Sequence, residues 1–275
     1  MITAEHFFVI WLPLLGFILT MMTLLWPISV LLRNASIVDP FWGLGFIISA
    51  LYGCLKFGFP HGILSWTLLI LLVVWGIRLS VYLFIRNFGK GEDPRYQSFR
   101  AKYGAERYWY VSLFQVFWLQ GFIMWIILLP VTAVWMNSGA KFETWIAVFG
   151  LLFWLIGFLF ETVGDWQLWR FKRNPMNEGK ILDRGLWAWT RHPNYFGESL
   201  IWWGIGLISA SQGFWFGLIS PMVMTWLLVK ISGVKMTEEK LIKEKPAYAE
   251  YLQKVPSFFP KYPGRSRTKS HRLFI

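Results

Sequence analysis

The sequence predicts an all-α integral membrane protein with seven transmembrane helices. Three observations carry that fold class. Of the 275 residues 56% are hydrophobic, the mean hydropathy is +0.46, and apolar runs of spanning length alternate with connections rich in Lys and Arg. Crossing the hydrocarbon layer takes about 20 helical residues. Seven runs qualify by length and polarity: 7–32, 40–59, 63–86, 113–136, 144–168, 196–212 and 214–232. A formal charge of +12 suggests nucleic acid in a soluble chain. Here membrane topology explains it, and no nucleic-acid partner is expected.

Taken in order, the first run lacks a basic segment ahead of it and exceeds a signal-peptide core, so it reads as a retained span. The second opens on Asp39-Pro40, an acid followed by a helix-starting proline. In the third, Arg78, Tyr82 and Arg86 stand four apart and share a face. An arginine as deep as Arg78 needs a partner, and Asp39 is the candidate; helix capping is the rival account of Asp39. Gln120 in the fourth run is a buried polar group that interhelical bonding explains. The fifth ends in a stripe of Glu161, Asp165, Leu168 and Lys172. Those acids suit ribose hydroxyls or amides, or they pair with Arg170 and Lys172. Only the turn 209–213 separates the last two runs.

The connections decide orientation. Residues 86–110 carry six Lys/Arg, 170–191 six and 230–275 eleven; with Arg33, 24 of the 27 basic residues fall on one side. Lys56 and Lys141 fall on the other. The positive-inside rule then puts the amino terminus outside and the carboxyl terminus in the cytoplasm. Lys90–Gln97 offers Glu92, Asp93 and Arg95 at the cytoplasmic mouth, or is a solvated turn. Residues 237–245 and 247–254 read as two surface helices, with Thr237 as a cap and Pro246 between them. Residues 261–275 form a basic flexible tail drawn to anionic head groups.

The organising stretch is Trp189-Thr-Arg-His-Pro-Asn-Tyr-Phe-Gly-Glu198. Pro193 suits the first turn of a new helix on which Asn194 and Glu198 share a face. A carboxylate entering the membrane layer marks a polar pocket; interfacial anchoring by Arg191, His192 and Tyr195 is the alternative. One cysteine, Cys54, and four scattered histidines offer neither a disulfide nor a zinc site. Gly43-Leu-Gly45 lacks a third glycine, and there is no P-loop. These residues describe a polar pocket open to the cytoplasm, suited to an anionic cofactor on one side and an apolar substrate from the bilayer on the other.

Glu161-(x)3-Asp165, Gly185-Leu-Trp187, Asn194-Tyr-Phe-Gly-Glu198 and Tyr251-(x)5-Ser-Phe-Phe-Pro260 together resemble the steroid 5α-reductase family, in particular its bacterial branch. The likeness implies one seven-helix reductase domain over 1–260, with 155–260 as the cofactor half, in a bacterial inner membrane. It implies NADPH as cofactor, bound on the cytoplasmic side, and reduction of the 4,5 double bond of 3-oxo-4-ene steroids. By position it implies that Asp165, Asn194, Tyr195 and Glu198 hold the cofactor, joined by Arg191 and His192. Lys172 and Lys180 stand where animal enzymes have arginine, Glu161 where they have an amide, and Lys235 and Glu238 where they have a His- and Tyr-bearing segment. The catalytic pair resembles Asp39 and Tyr82, with Arg78 orienting or neutralising the acid. The expected partners are a steroid-like substrate and membrane lipid, and the expected state is a monomer. Arg191-His-Pro-Asn-Tyr-Phe-Gly197 and Glu238-Glu-Lys-Leu241 also look like integral-membrane methyltransferases. Those use S-adenosylmethionine on isoprenylcysteine or phospholipid, and a binding protein without chemistry is a third possibility.

Overall fold

The computed structural model describes residues 4–136, 143–231, 233–245 and 248–263, and among them every regular element is helical. The chain divides into two compact units, Met1–Leu155 with Ile201–Met224, and Ile156–Leu200 with Thr225–Ile275. Among the described residues, six helical stretches are long and apolar enough to cross a membrane: Phe7–Leu31, Ala35–Phe57, Ile63–Asn87, Ala105–Ile127, Thr144–Arg173 and Trp215–Glu239. They mark a multi-pass membrane protein. The run expected as a further span is the helix Pro193–Ser211, 19 residues long. It is not among the six; its first two turns carry Asn194 and Glu198, which leaves little purely apolar length.

The first unit is built on α1 (Ala4–Leu31), α2 (Val38–Phe57) and α3 (Ile63–Asn87). Pro13 and Pro27 sit inside α1, as membrane helices tolerate. α2 and α3 meet backbone to backbone: a Cβ on Gly43 would lie 2.1 Å from the Gly76 carbonyl oxygen. Small residues permit this close approach, and the Leu44 N–H donates to Ser80 Oγ at 2.9 Å across it. Trp75 packs edge to face with both Phe46 and Trp202, with Trp75 and Trp202 centroids 5.1 Å apart, and Phe46 lies tilted on Trp202.

Next comes α4 (Pro94–Tyr103), in the connection read as a solvated turn or a cytoplasmic mouth. Asp93 caps it by accepting from the Arg95 N–H, and Pro94 occupies the first helical position. The fourth span is displaced from the expected 113–136. It runs through α5 (Ala105–Ser112), a π-helical stretch Leu113–Trp118, and α6 (Leu119–Ile127). Beyond it Leu129–Val134 form a tight 3-10 turn with every residue buried. Their apolar character belongs to the core of the unit rather than to a span. α7 (Thr144–Arg173) and α8 (Pro193–Ser211) follow, and within this unit Gly150 and Gly204 touch through their backbones.

In the second unit α7 and α8 are also in close contact. A Cβ on Gly197 would lie 2.4 Å from the Glu161 nitrogen and 2.5 Å from the Gly157 oxygen. After α9 (Ile219–Trp226) a π-helical stretch Leu227–Ile231 leads towards α10 (Val234–Glu244) and α11 (Tyr248–Lys254). Thr237, expected as a cap, lies inside α10, which begins three residues earlier. Tyr248, Tyr251 and Val255 form a buried cluster against Ile181, Leu241 and Leu252. Pro246, Ala247, Lys141 and the tail from residue 264 lie outside the described residues.

Candidate active site

In the first unit the acid expected to be functional is at the centre of a side-chain network. Asp39 stands in the first turn of α2 with its side chain 12% exposed. Its Oδ2 accepts from Arg95 Nη2 at 2.7 Å and its Oδ1 from the Tyr96 hydroxyl at 2.6 Å. Gln120 Nε2 donates to the same hydroxyl oxygen at 3.1 Å, and Trp42 Nε1 donates to Gln120 Oε1 at 2.5 Å.

Charges beside the network hold it in place. Asp93 Oδ1 accepts from both the backbone N–H and the Nε of Arg95 at 2.9 Å. Glu92 bridges the Ala35 N–H and the Arg100 guanidinium, while Ser36 Oγ accepts from the Asp93 N–H. Burial, followed by the negative charge of Asp39, holds the Tyr96 phenol well above the usual tyrosine range, so it remains protonated. Burial also disfavours the Asp93 carboxylate, but the hydrogen bonds from Arg95 outweigh it and lower its pKa. The Arg95 guanidinium is pushed up despite its burial, because Asp39 and Asp93 both face it.

The two groups hydrogen-bonded to Asp39 are not the pair named from the sequence. The phenol on Asp39 is Tyr96, where the resemblance pointed to Tyr82, and the guanidinium on Asp39 is Arg95, where Arg78 was the candidate. The Tyr82 ring lies instead between the guanidinium groups of Arg78 and Arg86, 5.4 and 5.8 Å from its centroid. Tyr96 did carry a signal, because Asp93-Pro94 announces a helix that seats Tyr96 in its first turn.

The second unit gathers the 189–198 stretch. Asn194 Nδ2 donates to Asp165 Oδ1 at 3.1 Å, whereas Asn194 Oδ1 is buried without a hydrogen-bond partner. Glu161 and Asp165 are both buried. The Tyr195 hydroxyl lies 3.4 Å from Thr237 Oγ1, and its ring stacks on His192 at 5.3 Å between centroids. Glu198 is half-buried, whereas Lys172, Lys180 and Lys235 are exposed.

Arg191 is committed within the same unit. Its Nε donates to Glu238 Oε1 at 2.7 Å, and its Nη1 to the carbonyls of Leu252, at 2.9 Å, and Val255. Its backbone N–H donates to the Pro256 carbonyl. His192 Nε2 lies 3.1 Å from the same Glu238 oxygen. Thr190 Oγ1 donates to the Phe258 carbonyl and the Tyr251 hydroxyl to that of Trp187. Burial and the Glu238 charge push the Tyr248 phenol up to about 12. Arg191, His192 and Glu238, each expected at a cofactor, thus tie the segment after α11 to the start of α8.

Residues 25–255 match the family described as protein of unknown function, DUF1295. An uncharacterized protein of Schizosaccharomyces pombe is 30% identical over 285 residues, covering 91% of this chain and 79% of the relative. A probable O-methyltransferase, ustE of Ustilaginoidea virens, is 36% identical over 77 residues, which is 28% of this chain and 26% of that protein. No solved structure matches.

Proposed function

The chain belongs to the DUF1295 family, and we propose that it is a membrane reductase that uses NADPH to saturate the carbon–carbon double bond of an apolar enone such as a 3-oxo-4-ene steroid. The observation that carries this reading is a buried phenol, Tyr96, whose proton rests on a carboxylate that an arginine already neutralises. That combination suits a group that must polarise a carbonyl without losing its proton to solvent.

Asp165, Asn194, Tyr195 and Glu198, with Glu161 beside them, are the residues assigned to the cofactor. The unpartnered Asn194 Oδ1 supports the fit, since it accepts a donor such as an amide or a ribose hydroxyl, and Asp165 adds acceptors of its own. Lys172, Lys180 and Lys235 are the exposed cations assigned to phosphates, and Glu238 accepts from Arg191 and lies beside His192. NADPH, when bound, supplies the hydride that adds to the β-carbon. The electron pair displaced from the double bond moves through the enone onto the carbonyl oxygen, where Tyr96 donates its O–H. Asp39 supports the phenol, and Arg95 keeps the acid's charge compensated. A proton from water then reaches the α-carbon, the oxygen returns its share of the proton, and the saturated ketone leaves. By the positive-inside rule, the basic connections support a cofactor site on the cytoplasmic side.

A second reading has one observation of its own. The printed name of the ustE relative is a probable O-methyltransferase, and Glu238-Glu239 suits S-adenosylmethionine in such proteins. Calorimetric titration of the purified protein with NADPH and with S-adenosylmethionine, followed by NADPH consumption on a panel of enone steroids, separates the two. Binding of NADPH with stoichiometric loss of the enone double bond supports the reductase. Binding of S-adenosylmethionine alone replaces it with methyl transfer.

A further inference from the structure

The phenol proton of Tyr96 has two places to point, and the structure contains a device that selects one. An indole N–H is donor only, so the oxygen of Gln120 must be the atom that faces Trp42 Nε1. The Gln120 amide then presents its NH2 to the Tyr96 oxygen, 3.1 Å away. A phenol oxygen that accepts on that side directs its own hydrogen elsewhere, and Asp39 Oδ1 is 2.6 Å away. Asp39 is held from its other oxygen by Arg95, itself fixed by Asp93. The order Trp42, Gln120, Tyr96, Asp39 therefore runs in one direction from donor to acceptor. It joins the first turns of α2 to the head of α4 and the start of α6, directly after the π-helical stretch Leu113–Trp118. Local π geometry recurs at functional sites.

We infer that Gln120, locked in one amide orientation by Trp42, is a positioning residue that keeps the Tyr96 proton on Asp39 until a carbonyl oxygen takes it. The catalytic consequence rests on the reductase reading; the hydrogen-bond direction does not. Gln120 also donates to the phenol oxygen, which favours the negative charge that oxygen gains as its proton is shared with substrate. The charged groups that act on Asp39, at the acceptor end of this chain, include the Arg95–Asp93 pair at the head of α4 and Arg86 of α3.

The test is Gln120→Glu in the full chain, with tyrosine labelled at the ring carbon that bears oxygen and the Tyr96 signal assigned through Tyr96→Phe. When protonated, the introduced carboxyl reproduces the amide, accepting from Trp42 and donating to Tyr96. Once ionised it has acceptors only, and the phenol oxygen loses its donor. The Tyr96 signal is therefore expected to be near wild type at low pH and to move as the introduced carboxyl titrates. Enone turnover should fall by about tenfold, one charge-assisted hydrogen bond's worth, over the same pH range, with the wild type lacking that step. A Tyr96 signal and a pH profile that both follow the wild type overturn the inference. Trp42→Phe covers the case in which the first variant does not fold. It leaves Gln120 in place and removes only its director, so the Tyr96 signal must shift; an unchanged signal overturns the inference. If Tyr96→Phe retains full turnover, the catalytic reading fails while the labelled-tyrosine measurement still decides the direction of the chain.

Discussion

Asp39 in the first unit and Glu238 in the second each hold an arginine at 2.7 Å, yet the two arginines are used differently. Arg191 places its donors on Glu238 and on main-chain carbonyls near the end of α11. It closes the ends of one segment against another. Arg95 donates to two carboxylates, Asp39 and Asp93, and its guanidinium lies 5.3 Å from the centroid of the Tyr96 ring. It leaves Asp39 with a second oxygen, on which a phenol proton sits. An arginine that satisfies backbone carbonyls is architecture. One that compensates an acid beside a protonated phenol is the arrangement on which the proposed proton donation rests.

The largest effect that would break this contrast comes from Arg191→Met. It leaves Glu238 partly buried with His192 alone and strips the Leu252 and Val255 carbonyls of their donor. A loss of about 3 kcal/mol or more is expected, read as a lower midpoint of thermal unfolding in detergent. If stability were unchanged and only cofactor binding were lost, Arg191 would be a ligand contact and the contrast would be mistaken. Gly43→Ala comes next, since its Cβ would lie 2.1 Å from the Gly76 oxygen and 2.6 Å from Ser80 Oγ. The helices must separate, at about 1–3 kcal/mol, and because α2 also carries Asp39, turnover should fall with stability. Gly197→Ala forces an equally close contact in the second unit and should weaken NADPH binding as well as stability. Equal responses of turnover and binding in both variants would erase the division of roles.

The smallest effect is electrostatic. The folded-state pKa of Asp93 is lowered from 3.8, so the stability it contributes is present above that value and is lost as pH falls through the folded pKa. Unfolding midpoints measured against pH should show this acid loss in the wild type and less of it in Asp93→Asn. The difference should be below about 1 kcal/mol, because the pair is partly exposed. An identical acid limb in both would remove Asp93 from the account of how Arg95 is held.

Apolar run length made the spans readable wherever a helix is simply hydrophobic, as in α2 and α3, whose observed bounds lie within two residues of the expected ones. It failed where burial and span differ. Leu129–Val134 are as apolar as a span, but they turn inside the core, while α5 carries Glu106 and Arg107 and so escaped a hydrophobicity criterion. α4 was missed for the same reason, since among its ten residues only Tyr96 is buried. Asp39 was legible because a carboxylate at the head of an apolar helix is costly unless partnered. Its partner was not legible: Tyr82 and Tyr96 both follow it in the chain, and only tertiary packing separates them. Arg191 and Glu238 stand 47 positions apart, so no local spacing could have announced their pairing. The cap expected at Thr237 rested on residue type alone, and the start of α10 at Val234 places that hydroxyl opposite Tyr195 instead.

The most direct measurement is the rate of NADPH-dependent reduction of an enone steroid by Tyr96→Phe and Tyr82→Phe, each beside the wild type and each checked for NADPH binding. The account predicts that Tyr96→Phe binds NADPH normally and loses about 10²-fold or more in turnover, while Tyr82→Phe stays within a few-fold of wild type. Full activity in Tyr96→Phe, or the loss falling on Tyr82→Phe instead, would contradict it.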